Sequence, residues 1–193
     1  MYIAEKSKSG IQEVKAETYL TTQRVITLKG EINQETSLEV VQALLALDLK
    51  NHDEITLLIA SGGGAINGGL AIYDAMNIIE SPIRTVAVGT VASMAAVLFS
   101  SGTKGRRQMF PSSKIMIHDP RIIGSKGVMT TSEIIELGRD LQKTKDQTNG
   151  ILAKNTGKDL SAINKDTLTD NWMSAEEAIA YGLADGIVER MQR

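Results

Sequence analysis

A chain of 193 residues with no cysteine and a formal net charge of −2 is long enough for one domain with a full core, and it can hold neither a disulfide nor a thiolate-bound zinc. It lacks the basic excess expected of a nucleic-acid or acidic-membrane partner, and two histidines are too few for a histidine-rich metal cluster. Hydrophobic residues at 42%, charged residues at 23% and a polar N-terminus without signal-peptide or membrane-spanning character predict a soluble, cytoplasmic protein.

No linker, repeat or low-complexity tract divides the chain, so residues 1–193 read as a single domain, with 1–23 as an N-terminal segment of weak pattern. From Arg24 to Gly30 the sequence alternates and is β-branched, which predicts a strand. Leu38, Val41, Leu44, Leu45 and Leu49 then recur at helical spacing behind a polar start. After the polar turn "NHDE", "ITLLIA" reads as a buried strand closed by the loop "SGGG". A second helix is predicted over Leu70 to Ile79, stopped at Ser81-Pro82. "IRTVAVG" is a third strand, delivering the chain to an apolar helix that opens near Ser93. "KIMIH" is a fourth strand, with His118 at its end. A long amphipathic helix follows from Thr131 to about Lys154, opened by the capping-box pattern Thr130-x-x-Glu133. Ser174-x-x-Glu177 repeats that signature, and Gly182 is a natural helix stop. Strands alternating with helices make this an α/β protein.

The stretch "VGTVASMAAVLFSSG" raises a chemical question. A serine at a helix start is an ordinary N-cap. The same position also offers unpaired N–H groups and a positive dipole end, a favourable setting for a nucleophile. A nucleophilic Ser93 needs a base. His52 lies in a charged turn and reads as a solvated loop residue. His118 lies at a strand end cut short by Pro120, where α/β folds tend to present catalytic groups. A Ser–His pair would therefore be Ser93 with His118. Asp119 is a poor orienting carboxylate, because successive strand side chains point to opposite faces. Asp159, Asp166, Asp170 and Asp185 remain open. The glycines of "ASGGGA" can gather backbone N–H groups around an oxyanion, or form a plain turn. They match neither phosphate-loop spacing: Gly69-Leu70 stands where Lys-Ser/Thr is needed, and Asn67 where a last glycine is needed.

Taken in order, "SGGGAINGGLAIYDAMNII", "VGTVASMAAVLFSSGTKGRR", "MFPSSKIMIHDP" and "DTLTDNWMSAEEAIAYGLAD" resemble the proteolytic subunit of the Clp protease. That family's usual wording is Ser-Pro-Gly-Gly, Ala-Ser-Met-Gly-Ala, Met-Ile-His-Gln-Pro, and Arg-Asp followed by Ser-Ala-Glu-Glu-Ala. The likeness runs from about Arg24 to the C-terminus. It implies a crotonase-like spiral of ββα units with a long handle, here about 121–156. It implies Ser93 as nucleophile, His118 as base and Asp170 as orienting carboxylate, with the backbone N–H groups of Gly64 and Met94 as oxyanion donors. It implies a serine endopeptidase acting on unfolded polypeptides inside stacked heptameric rings, a tetradecamer fed by a hexameric AAA+ unfoldase. The unfoldase uses the ATP, and this chain itself needs no cofactor or metal.

Departures from the pattern point to a divergent paralogue that works with a second subunit of the same type. Gly62 replaces the family proline, Ala95 a glycine and Asp119 a glutamine. Leu168 and Thr169 stand where many members have Asp-Arg, a pair that helps the rings meet. Thr56 and Leu58 replace tyrosines of the unfoldase docking pocket. Two other readings compete with the endopeptidase: a structural or regulatory ring subunit with little activity alone, and an acyl-CoA enzyme of the crotonase fold. The acyl-CoA reading gives no reason for Ser93, His118 and Asp170 to coincide with the peptidase pattern.

Overall fold

The structure, a computed structural model, describes residues 1–7, 10–121 and 127–190. Positions 8 and 9 of the N-terminal segment and 122–126 of the expected handle region lie outside the described residues. The segment opens as an antiparallel hairpin of β1 (Tyr2–Ser7) and β2 (Gly10–Lys15), followed by α1 (Ala16–Thr22). Next come β3 (Val25–Ile32) and α2 (Gln34–Lys50). Asn33 opens α2 by accepting from Thr36 N–H at 2.9 Å, and Thr36 Oγ1 accepts from Asn33 N–H at 3.0 Å. Two of the orphan donors at the helix start are thereby satisfied.

The inward face of α2 differs from the one the leucine spacing predicts. Ser37, Val40, Leu44 and Leu47 are buried, whereas Leu38, Leu45 and Leu49 are exposed. Two apolar stripes run along this helix, and spacing alone does not say which packs inward. Ser37 goes inside because its hydroxyl donates to Asn33 C=O at 2.5 Å. Small size also matters there, since a Cβ on Gly68 would come within 2.4 Å of Ser37 Oγ.

Strand β4 (Ile55–Gly64) buries Ile55, Leu57 and Ile59 at alternate positions. It continues through Ser61–Gly64, which the sequence presents as a loop, because β3 keeps pairing past a bulge, with Glu31 opposite Gly63 and Ile32 opposite Gly64. Helix α3 (Ile66–Ile78) likewise starts four residues before the expected Leu70. Gly68 and Gly69 look like breakers but serve close approach: a Cβ on Gly69 would lie 2.2 Å from Met94 Cγ.

After α3, the chain makes the same unit twice. Strands β5 (Ile83–Ala87) and β6 (Thr90–Ala92) lead to α4 (Met94–Ser100), then β7 (Arg107–Met109) and β8 (Lys114–Ile117) lead to α5 (Thr131–Thr156). In each unit the first strand joins a five-stranded parallel sheet, ordered β10-β7-β5-β4-β3, and the second joins a smaller sheet, β6-β8-β9. Helix α6 (Leu160–Asp166), β9 (Asn171–Met173), α7 (Ala175–Tyr181) and β10 (Gly186–Ile187) complete the chain. The capping boxes at Thr130 and Ser174 form as expected, and Gly182 ends α7 in the left-handed region. The α/β class and the long helix stand, and the larger sheet is parallel. Every residue of α4 is buried, so this helix is the central pillar on which the preceding Ser93 rests.

One buried ion pair locks the end of the chain to the sheet. Arg107, with 4% of its side chain exposed, meets Asp185, which also accepts from Gly105 N–H at 2.8 Å and Arg107 N–H at 2.9 Å. Burial pushes the Asp185 carboxyl up, but these bonds outweigh it and hold it below its ordinary 3.8. The stability it contributes is therefore complete above that ordinary value and disappears as the pH falls through the depressed folded value. Asp185→Asn leaves Arg107 buried without its counter-charge, and should cost about 3 kcal/mol in denaturant unfolding at pH 7. The difference between variant and parent should shrink in acid below the ordinary carboxylate range.

Candidate active site

Ser93 stands between β6 and α4 with φ 57° and ψ −128°, one of two non-glycine residues of positive φ among those described. Such a conformation costs about 1–3 kcal/mol and persists only where the surroundings enforce it. Here Ser93 N–H donates to Met116 C=O on β8 at 2.9 Å, and Ser93 C=O accepts from Ala96 N–H at 2.9 Å and Val97 N–H at 3.3 Å. The Ser93 side chain makes no capping bond, so the N-cap explanation of this serine does not hold. Its hydroxyl points instead to the imidazole of His118, with Oγ 2.8 Å from Nε2.

His118 follows β8 directly, with 12% of its side chain exposed. Its other ring nitrogen, Nδ1, lies 3.0 Å from Asp170 Oδ1. An ionised carboxylate only accepts, so Nδ1 carries the proton and Nε2 is left to accept from the serine hydroxyl. Asp170 is held below the ordinary carboxylate value, first by the His118 bond, which outweighs the opposing effect of desolvation, and then by the charge of Arg121. Arg121 Nη2 donates to the same Oδ1 that faces His118.

The other carboxylates are occupied elsewhere. Asp119 turns away from the site, as strand alternation predicts, and pairs with Lys145 of α5 at 2.7 Å and the Thr167 hydroxyl at 2.7 Å. Burial raises the Asp119 carboxyl, and Lys145 and Thr167 more than reverse this. Asp166 accepts from Tyr181 Oη at 2.8 Å, Asp185 serves Arg107, and Asp159 starts α6 without a side-chain cap. His52 is an exposed turn residue 3.1 Å from Asp48.

The glycine strand end packs directly on the serine. A Cβ on Gly63, whose φ is +96°, would come within 2.8 Å of Ala92 C=O, 2.8 Å of Ser93 Cβ and 3.1 Å of Met94 N. Only glycine fits this contact, which sets the strand end against the first turn of α4; the next residue, Gly64, is exposed. Met94 is the first residue of that helix, so its N–H has no partner within the helix. On the opposite edge of β4, pairing with β5 ends at Ile59 and Ala87.

Two features of the site escape sequence reading. Arg121 sits three residues beyond His118, and nothing in its neighbours marks it. The Lys145–Asp119–Thr167 cluster joins three segments distant in sequence. Among the described residues, no group of three or more His, Asp or Glu side chains could hold a metal ion. Among those residues, too, no helix is long and apolar enough to cross a membrane.

Comparison with known proteins places the whole chain. The family profile described as Clp protease matches residues 7–191. The ATP-dependent Clp protease proteolytic subunit of Ligilactobacillus salivarius (strain UCC118) is 38% identical over 192 residues, 99% of this chain and 96% of that protein. A match of that extent, over all four motif blocks, shows that this chain belongs to the Clp protease family.

Proposed function

We propose that this chain is a Clp-type serine endopeptidase whose nucleophile is Ser93, with His118 as general base and Asp170 as its orienting carboxylate. The observation that carries the reading is the continuous line from Ser93 Oγ through both His118 nitrogens to Asp170, at 2.8 and 3.0 Å. Ser93 Oγ attacks the scissile carbonyl while His118 Nε2 takes the hydroxyl proton and then gives it to the departing amine. Water deacylates the enzyme by the same path in reverse. Asp170 holds the imidazole in the productive tautomer and offsets the charge that forms on it. The developing oxyanion is received by the N–H groups of Gly64 and Met94. An extended polypeptide fits the unpaired edge of Ser61–Gly64 by adding a strand there. None of these steps needs a metal or cofactor.

The chain works in this reading as a homo-oligomer of heptameric rings, alone or with a second paralogue, in the cytoplasm, receiving unfolded polypeptide from an AAA+ unfoldase. Exposed apolar side chains support assembly: Leu38, Leu45 and Leu49 on α2, and Ile134 and Ile135 on α5, are surface that a neighbouring subunit would remove from water. Leu168, 65% exposed, supports the second reading, a ring subunit with little activity alone. It brings no charge to a contact that many relatives make with an ion pair.

Ser93→Ala should lower peptide hydrolysis by about four to six orders of magnitude. It should leave the thermal midpoint close to the parent's, since no capping bond is lost. Retained turnover in the purified variant would exclude Ser93 as nucleophile. Asp170→Asn should cost roughly 10⁴ in turnover by favouring the wrong tautomer, whereas Asp166→Asn should cost far less, and equal losses would refute the assignment. In sedimentation velocity at low micromolar concentration, the chain alone should run as single heptamers or smaller with weak activity. A stable, active tetradecamer at nanomolar concentration would contradict the weakened double ring.

A further inference from the structure

We infer that Arg121 is a positioning residue for the peptidase chemistry proposed above: it grips Asp170 from the solvent side and fixes the carboxylate in the orientation that accepts from His118. Two donors converge on one atom, His118 Nδ1 at 3.0 Å and Arg121 Nη2, both on Asp170 Oδ1. Asp170 gains from such a second hold, because 40% of its side chain is exposed.

Arg121 is itself well placed to supply the hold. The segments 118–121 and 167–170 are tied together at one end by Asp119, whose N–H donates to Thr167 C=O at 2.8 Å and whose carboxylate accepts from the buried Thr167 hydroxyl at 2.7 Å. Lys145 clamps the same Asp119 from α5 at 2.7 Å. Pro120 then restricts the backbone between that anchor and Arg121. The arginine thus closes the far end of a small frame whose near end is buried, and the frame contains the His118–Asp170 bond. An exposed ion pair of this kind adds little to folding stability, so its consequence lies in the site.

The charge matters as well as the bond. The groups acting on Asp170 are His118, first through its hydrogen bond, and Arg121, through its charge. Asp119 and Lys145 lie on the α5 side as a pair that largely cancels, and Asp166 of α6 is engaged with Tyr181. A cation beside a coupled acid–base pair favours loss of its proton. Removing Arg121 therefore makes the active, deprotonated form of the pair harder to reach, and the acid limb of the rate profile moves to higher pH.

The test compares parent, Arg121→Gln and Arg121→Lys in pH profiles of fluorogenic peptide hydrolysis and of fluorophosphonate labelling rate. All three are taken at a concentration where sedimentation shows equal assembly. Arg121→Gln should lower kcat about five- to thirtyfold with KM unchanged. Its acid limb should move up by about half a pH unit, in hydrolysis and labelling alike. Arg121→Lys, which keeps the charge, should return the limb to the parent position. Because 56% of the Arg121 side chain is exposed, all three proteins should share one thermal midpoint. An Arg121→Gln profile superimposable on the parent's overturns the inference and leaves the proposed function standing. A limb shifted equally in Arg121→Gln and Arg121→Lys also overturns it. A parent that neither hydrolyses nor labels overturns the proposed function and this inference together.

Discussion

The site depends on a backbone conformation at Ser93 that the rest of the molecule enforces. A residue with a Cβ does not adopt φ 57° and ψ −128° without cost. Three contacts impose it: the bond from Ser93 N–H to β8, the two amides of α4 that Ser93 C=O receives, and the close packing of Gly63 on Ser93 Cβ. The β8 bond also fixes the strand that ends at His118, so one interaction sets both the serine and its base. Behind them stands α4, buried on every side, which leaves the serine no room to relax into an ordinary cap. The strain is thereby converted into an outward-pointing hydroxyl and a free amide at Met94.

Exposure to solvent is greatest at the carboxylate end of the site. Ser93 is half-buried, His118 keeps 12% of its side chain exposed, and Asp170 keeps 40%. The carboxylate end of the triad is consequently the part most open to its surroundings. It is held by hydrogen bonds and charge rather than by packing, through His118, Arg121 and the Asp119–Thr167–Lys145 cluster. That cluster is one link between the site and α5, the long helix that exposes Ile134 and Ile135. The same helix also meets the serine's own helix directly, where Asn155 donates to the Ser100 and Ser101 hydroxyls at 3.1 and 3.0 Å.

Much of this was legible in the sequence, for identifiable reasons. The strands at Arg24, Ile55 and Ile83 and the long helix from Thr131 are written in periodicity and capping residues, which act locally. The Ser93–His118 pairing could be reached by elimination, because only two histidines are present. Asp170 could not be chosen over Asp159, Asp166 and Asp185 by spacing, since the partners of Asp166, Asp170 and Asp185 come from tertiary contact; only the family resemblance singled it out. The inward face of α2 was misjudged because Ser37, a polar residue, is buried by a local hydroxyl bond while Leu38 and Leu45 are left outside. Ser61–Gly64 and the start of α3 looked irregular because glycine reads as a breaker. In the fold those glycines permit close approach to Ser37, Ser93 and Met94. The short strands β6, β7, β9 and β10 are two or three residues long and carry no periodic signal of their own.

The central claim is that the strained serine is an activated nucleophile and not a structural curiosity. Peptide mapping by mass spectrometry after exposure of the assembled protein to a fluorophosphonate reads this directly, because the reagent forms a stable bond only with a hydroxyl that a base has activated. A single adduct is expected, on Ser93, that does not form once the protein is unfolded in denaturant before exposure. Absence of any adduct on the assembled protein, or an adduct on a different serine, would contradict it.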